Sequence, residues 1–129
     1  MNDIIKETDI NNIIGTTFYN DTINASVNEL IGILCIEPFR NIDFKTKFEW
    51  RLEYYSEILD KQFYFTIYDY KENWKLYIGY ETDVDYPCTI KIDWHIGGKS
   101  ADDTILAKNF LTNKLNEFRN KNQSFAQYL

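Results

Sequence analysis

Cysteine, proline, glycine and histidine are all scarce here: two Cys, two Pro, five Gly and one His among 129 residues. The two cysteines, Cys35 and Cys88, lie far apart in apolar runs and are not spaced as a disulfide scaffold. They read as buried free thiols in a reducing compartment. With a single histidine, any metal site would have to draw on carboxylates or thiolates. No tract is low in complexity and no linker divides the chain. No apolar run approaches the roughly 18 residues that a membrane-spanning helix needs. Basic residues are in deficit, 14 Lys and Arg against 20 Asp and Glu, for a net charge of −6. That balance argues against a nucleic-acid or anionic-membrane binder, since phosphate attraction requires a basic surface. It suits a basic protein partner, or simple solubility.

What the chain has in quantity is aromatic and apolar residues, 17% and 44% of the whole. This composition excludes disorder for most of the chain. The length fits one domain over residues 1–129, large enough to bury a core without staples. Met1-Asn2-Asp3-Ile4-Ile5-Lys6-Glu7 has no basic stretch leading into an apolar one, so no signal peptide is expected. A cytoplasmic location follows as an expectation, the host cytoplasm if the chain is viral. The Asn-Xaa-Ser/Thr triplets at Asn20, Asn24 and Asn122 then carry no glycosylation.

The aromatic residues concentrate where the period is two. Phe48, Trp50, Leu52 and Tyr54 alternate with Glu49, Arg51, Glu53 and Tyr55. Phe63, Phe65 and Ile67 alternate with Tyr64, Thr66 and Tyr68. Trp74, Leu76, Ile78 and Tyr80 alternate with Lys75, Tyr77 and Gly79. Cys88, Ile90, Ile92 and Trp94 alternate with Thr89, Lys91, Asp93 and His95. Alternation of this kind marks strands with one dry face. Their short joins, such as 69–73, suit an antiparallel meander and leave no room for crossover helices.

The flanks read as helical. Ile4, Ile5, Ile10, Ile13 and Ile14 give residues 3–14 an apolar stripe that ends at Gly15. Residues 16–24 are polar and turn-like, although 16–19 could add a strand. Ser26-Val27-Asn28-Glu29 fits a capping box that opens a helix over 26–36. The β-rich run Leu30 to Ile36 keeps a central strand as the alternative. Ser100 with Asp102 and Asp103 is a helix start. Ala107, Leu111, Leu115, Phe118, Phe125 and Leu129 then share one helical face. The expected fold is α+β: a four- to five-stranded antiparallel meander with a long C-terminal helix on one face and one or two short N-terminal helices. Its core should hold Trp50, Phe65, Leu76, Ile78, Ile90, Ile92, Leu111 and Leu115.

No motif carries a specific chemistry. Gly97-Gly98-Lys99-Ser100 ends like a phosphate loop, but that motif's first glycine would fall at Asp93. Asp102 and Asp103 also put negative charge where a phosphate would bind. A Gly-Gly turn followed by an N-cap accounts for all four residues. Asp93 and His95 share a strand face and could act as an acid–base pair. Cys88 faces the other way, against a Cys-His nucleophile. The acids from Glu81 to Asp103 lack the spacing of a calcium loop. No metal, cofactor or catalytic residue is therefore assigned.

Two features favour recognition. Glu81, Asp83, Asp85 and Tyr86 form an acidic loop, with Asp93 nearby. The second sheet face presents Tyr64, Tyr68 and Tyr77 among Arg51, Lys75, Lys91, Asp93 and His95. Tyrosines on a rigid sheet give large contact area at low entropic cost, provided residues 3–14 or 26–36 do not cover them. The expectation is a small acidic module that binds, and through binding inhibits, a basic protein. By size and charge alone, immunity proteins and phage anti-defence inhibitors are of this type. A small-molecule or peptide pocket between sheet and helix, lined by aromatics, is the alternative. A structural or assembly subunit is the second, and self-association stays open.

Overall fold

The computed structural model describes residues 4–40, 42, 46–70 and 89–126. Among them are strands β1 (Ile4–Glu7), β2 (Thr17–Ala25), β3 (Phe39–Arg40), β4 (Phe48–Ser56), β5 (Lys61–Tyr68) and β6 (Ile92–Gly98). Helix α1 spans Val27–Leu34 and helix α2 spans Ala101–Ala126. The strands form one antiparallel sheet in the order β1-β4-β5-β6-β2, with the short β3 also pairing to β4. The architecture is α+β, as the alternation of residues implies.

The predicted dry face is the buried one. Phe48, Trp50, Leu52 and Tyr54 of β4 turn inward with Phe63, Phe65 and Ile67 of β5 and Ile92, Trp94 and Ile96 of β6. Helix α2 lies across this face and seals it with Ala107, Leu111 and Leu115. Trp50 and Trp94 meet edge to face, with ring centroids 5.3 Å apart. Each indole N–H donates to a backbone oxygen at 2.8 Å, Trp50 to Ile36 and Trp94 to Ala25. Both large rings are thus buried without an orphaned donor.

The helices begin where their caps are. Ser26 Oγ accepts from the Glu29 N–H, and Glu29 Oε1 accepts from the Ser26 N–H, each at 3.1 Å. This reciprocal pair decides residues 26–36 in favour of a helix. Gly32 looks like a helix breaker, yet it sits under α2. A Cβ there would lie 2.5 Å from Phe118 Cε2, so the glycine permits the two helices to approach. At the start of α2, Ser100 Oγ accepts from the Asp103 N–H at 3.1 Å.

Several expectations are corrected. Of the helix expected over 3–14, the described residues 4–14 form no α-helix. Ile4–Glu7 pairs with the edge of β4, and a 3-10 turn follows at Ile10–Ile13. An available strand edge suits β-branched isoleucines better than a short, uncapped helix does. The polar stretch 16–24 is mostly strand, β2, hydrogen-bonded to β6 across an irregularity between Phe18 and Thr22. Gly97 and Gly98 make no turn. They end β6, and a Cβ on Gly98 would meet Thr104 Cγ2 of α2 at 2.7 Å. Cys35 is exposed, because the helical period puts Leu30 and Leu34 inside and leaves Cys35 at the left-handed C-cap. Ile90 is only partly buried and precedes β6. The expected strand at 74–80, with Leu76 and Ile78, lies outside the described residues, as does Cys88.

One register sets the plan of the second face. Glu7, Leu52, Phe65, Gly98 and Thr17 form a single row across the sheet. The chain therefore leaves β1 and enters β2 on the same level, at opposite edges. Residues 8–16 have to cross three strands, about 19 Å at four spacings of about 4.8 Å. Nine residues reach that far easily. Helix α2 occupies the dry face, and the 3-10 turn packs on β4 and β5. This strap accordingly crosses the outward face.

Candidate functional site

The strap divides the outward face into two regions. It buries Thr66, the central outward residue of β5. It is pinned at one end by Thr8, whose backbone N–H donates to the Arg51 carbonyl at 3.0 Å. Thr8 Oγ1 also donates to Glu53 Oε2 at 2.7 Å, and Asn12 Nδ2 donates to Thr8 Oγ1 at 2.9 Å. Glu53 is held below the ordinary carboxylate range, chiefly by the Thr8 bond, with burial opposing and Lys6 assisting from 3.1 Å.

Of the residues expected at a partner site, Tyr64 lies on one side of the strap. It is half-buried, with Lys99 Nζ 5.2 Å from its ring centroid. Tyr55 is its neighbour. The Tyr55 hydroxyl donates to Asp60 Oδ1 at 2.6 Å, which raises its pKa.

Tyr68, Asp93 and His95 lie on the other side. Tyr68 pairs with His95 across β5 and β6. Their rings meet edge to face at 5.4 Å, and Phe18 of β2 stacks on His95 at 4.1 Å with planes 11° apart. Tyr70 completes the cluster, 5.9 Å from His95 and 6.5 Å from Tyr68. The pKa of the Tyr68 phenol is raised, first by burial and then by Glu49 and Tyr70. Asp93 is exposed and accepts from Asn24 Nδ2 at 2.9 Å. Asp93 and His95 do share the outward face, as their spacing requires.

Tyr64 and Tyr68 are therefore brought to one face but not to one patch. Tyr64 and Tyr68 are separated by roughly 13 Å of strand, at about 3.4 Å per residue, with the strap between them. Arg51 does not reach out freely. Its Nε donates to Glu49 Oε2 at 2.7 Å and its guanidinium lies 4.4 Å from the Phe39 ring centroid. Glu81, Asp83, Asp85, Tyr86, Tyr77 and Lys75 lie outside the described residues. The segment that carries them starts after Tyr70 and ends at Thr89, so both its anchors sit at the Tyr68 and Asp93 end.

Sequence reasoning missed Phe18 and Tyr70 in the ring cluster. Phe18 was legible in the β-prone run Thr16 to Tyr19, once that run is taken as strand. Among the described residues no three His, Cys, Asp or Glu side chains converge as a metal site, and no helix is long and apolar enough to cross a membrane. The chain matches no protein-family model, no curated protein and no solved structure.

Proposed function

We propose that the chain is an acidic protein-interaction module that binds, and by covering inhibits, a basic protein partner through its outward face. One observation carries this reading. On that face aromatic rings stand half-exposed on both sides of a strap whose Ile10 and Ile14 are 53% and 69% exposed. Apolar surface on a rigid sheet, in a chain of net charge −6, fits a partner that supplies apolar contacts and positive charge. The acidic segment around Asp83 and Asp85 steers association, and the rings and isoleucines supply affinity.

The ligand-pocket alternative has less support. The aromatic residues between sheet and helix interlock, and the two clefts that border both sheet and α2, one beside Ile23 and Leu115 and one beside Tyr54 and Phe110, lie at the margins of that interface. The test is a tagged pull-down from the source cell at low and moderate salt, with mass spectrometry. One stoichiometric basic protein, released as salt rises and lost on reversing the charge of Asp83 and Asp85, is the expected result. Binding unchanged by charge reversal removes the acidic segment from the site. An empty pull-down rejects the reading.

A further inference from the structure

Strand β2 closes the sheet on one side and, among the described residues, pairs only with β6. The ladder fixes where its backbone groups point. In an antiparallel sheet, successive residues turn their N–H and C=O alternately to one neighbouring strand and to the other. The Thr8 N–H donates to the Arg51 carbonyl, so Arg51 turns toward β1 and Leu52 toward β5. The registers of Leu52 with Phe65, Tyr68 with His95 and Ile23 with Trp94 carry this alternation across the sheet. It turns Ile23 toward β6 and leaves Thr22 and Asn24 facing the open edge. The Asn24 carbonyl agrees with this phase: it accepts from Arg119 Nη2 of α2 at 3.0 Å.

Open edges are usually blunted by lysine, proline or a bulge. Strand β2 holds no lysine or proline. The irregularity between Phe18 and Thr22, with Asn20 at a left-handed φ of 71°, interrupts its first half and leaves 22–25 regular. Beside that regular half lies a cleft of about 330 Å³ whose second wall is one flank of α2. Ile23 and Leu115, both buried, form its floor, and Lys108, Thr112 and Asn116 line its wall. Arg119 is taken by Glu29 and Asn24, and Asp93 by Asn24. Lys108 is exposed and has no ion pair among the described residues.

We infer that the edge at Thr22 and Asn24 takes up an extended segment of a partner protein as a further strand, with α2 as the second wall and an Asp or Glu of that segment against Lys108. Only an extended backbone matches N–H and C=O groups that recur at every second residue. Strand addition to an open edge takes its affinity from these main-chain bonds and its specificity from alternate side chains. A second copy fits less well. Antiparallel pairing of two β2 edges runs about a two-fold axis normal to the sheet, which sets both α2 helices on one face with the same flanks together. Those flanks carry Lys108, Thr112, Asn116 and Arg119, polar and basic where homodimer interfaces are apolar. This edge lies apart from the outward face, and strand addition here does not depend on what binds there.

The probe is a fluorescein-labelled peptide of about eight residues, roughly 27 Å when extended, in which Thr alternates with Val and one Val is replaced by Glu. Its fully N-methylated counterpart and a version with Lys in place of Glu are the controls, read by anisotropy at about 0.1 M salt. The full chain is expected to bind the probe roughly tenfold tighter than either control, the difference made by a few edge hydrogen bonds or one charge pair. Thr22→Pro deletes an edge N–H without removing a bond to β6, and should abolish the preference over the N-methylated control. Lys108→Glu, at an exposed helix position, should reverse the preference for Glu over Lys, and it decides alone if the proline variant unfolds. Ile10→Ser, on the outward face, should change neither preference. The Thr22 and Asn24 amides should exchange fast in the free chain and slowly once the probe is added. Equal binding of the probe and the N-methylated control overturns the inference, as does a preference for Glu that survives Lys108→Glu. Protection of both amides in the free, monomeric chain would show the edge covered from within, and self-association removed by Thr22→Pro would show a second copy on it. Either result also overturns the inference. The pull-down is read through charge reversal at Asp83 and Asp85, so neither experiment decides the other.

Discussion

Arg119 ties three elements together, and removing it tests the packing account most directly. Its Nε donates to Glu29 Oε2 at 2.6 Å and its Nη2 to Glu29 Oε1 at 3.1 Å. Nη2 also donates to the Asn24 carbonyl at 3.0 Å, so α2 grips both α1 and the end of β2. Glu29 is 13% exposed and Arg119 37%. Charge-assisted bonds contribute roughly 1.5–3 kcal/mol when well buried. Solvent at the arginine reduces this, since exposed pairs are worth about 0.2–1 kcal/mol. We expect a coupling of about 1–2 kcal/mol, between those two limits.

The assay is a double-mutant cycle by urea unfolding with Arg119→Ala and Glu29→Gln. Glutamine still closes the capping box with Ser26, so Glu29→Gln removes charge without removing the cap. The cost of Arg119→Ala that persists when Glu29→Gln is already present reports the Asn24 bond and lost packing. Glu29 also makes the pair sensitive to pH. Its carboxyl is held below the ordinary value, first by the Arg119 bond and then by the Ser26 N–H, with burial opposing. A depressed folded pKa gives stability that is complete above the unfolded value, about 4.3. That stability is lost as pH falls through the folded pKa. Wild type should therefore lose more stability than Arg119→Ala between about pH 5 and the acid limit. A coupling under about 0.3 kcal/mol, with parallel pH curves, would refute a stabilising clamp.

Other substitutions address the core and its close approaches. Leu111→Ala, at a fully buried site, should cost about 2–5 kcal/mol. Ile90→Ala, only partly buried, should cost clearly less, and the reverse order would mean that the inward face is misassigned. Asp69 Oδ1 accepts from the Lys47 and Phe48 N–H groups at 2.9 and 3.0 Å. Asp69→Ala should cost on the order of 2–4 kcal/mol, from roughly 1–3 for the orphaned buried Phe48 donor and about 1 for the part-buried Lys47 donor. Asp69→Asn keeps an acceptor and should lose less, and equal losses would argue against the capping role. Gly98→Val should lower the melting temperature by driving α2 off β6, and an unchanged midpoint would mean that Thr104 yields freely.

How much was legible depended on whether a signal was local. The period of two from Phe48 to Tyr55 and from Phe63 to Tyr68 determined the strands and their inward faces, because alternation is a property of each strand alone. The same holds for the capping box at Ser26 and Glu29 and for the start of α2 at Ser100. The acidic balance, too, belongs to the composition. What the chain could not declare locally was which edges its strands would find. Ile4–Glu7 became strand because β4 offered an open edge, and Thr17–Ala25 because β6 did. Gly32 and Gly98 read as a breaker and a turn, yet each is a point where a second element comes too close for a Cβ. The separation of Tyr64 from Tyr68 is of the same kind. Both belong to the outward face by alternation, but only the five-strand row from Glu7 to Thr17 sends the strap between them. Local periodicity determined the faces. Long-range pairing decided what crosses them, because register is a relation between strands that no single segment contains.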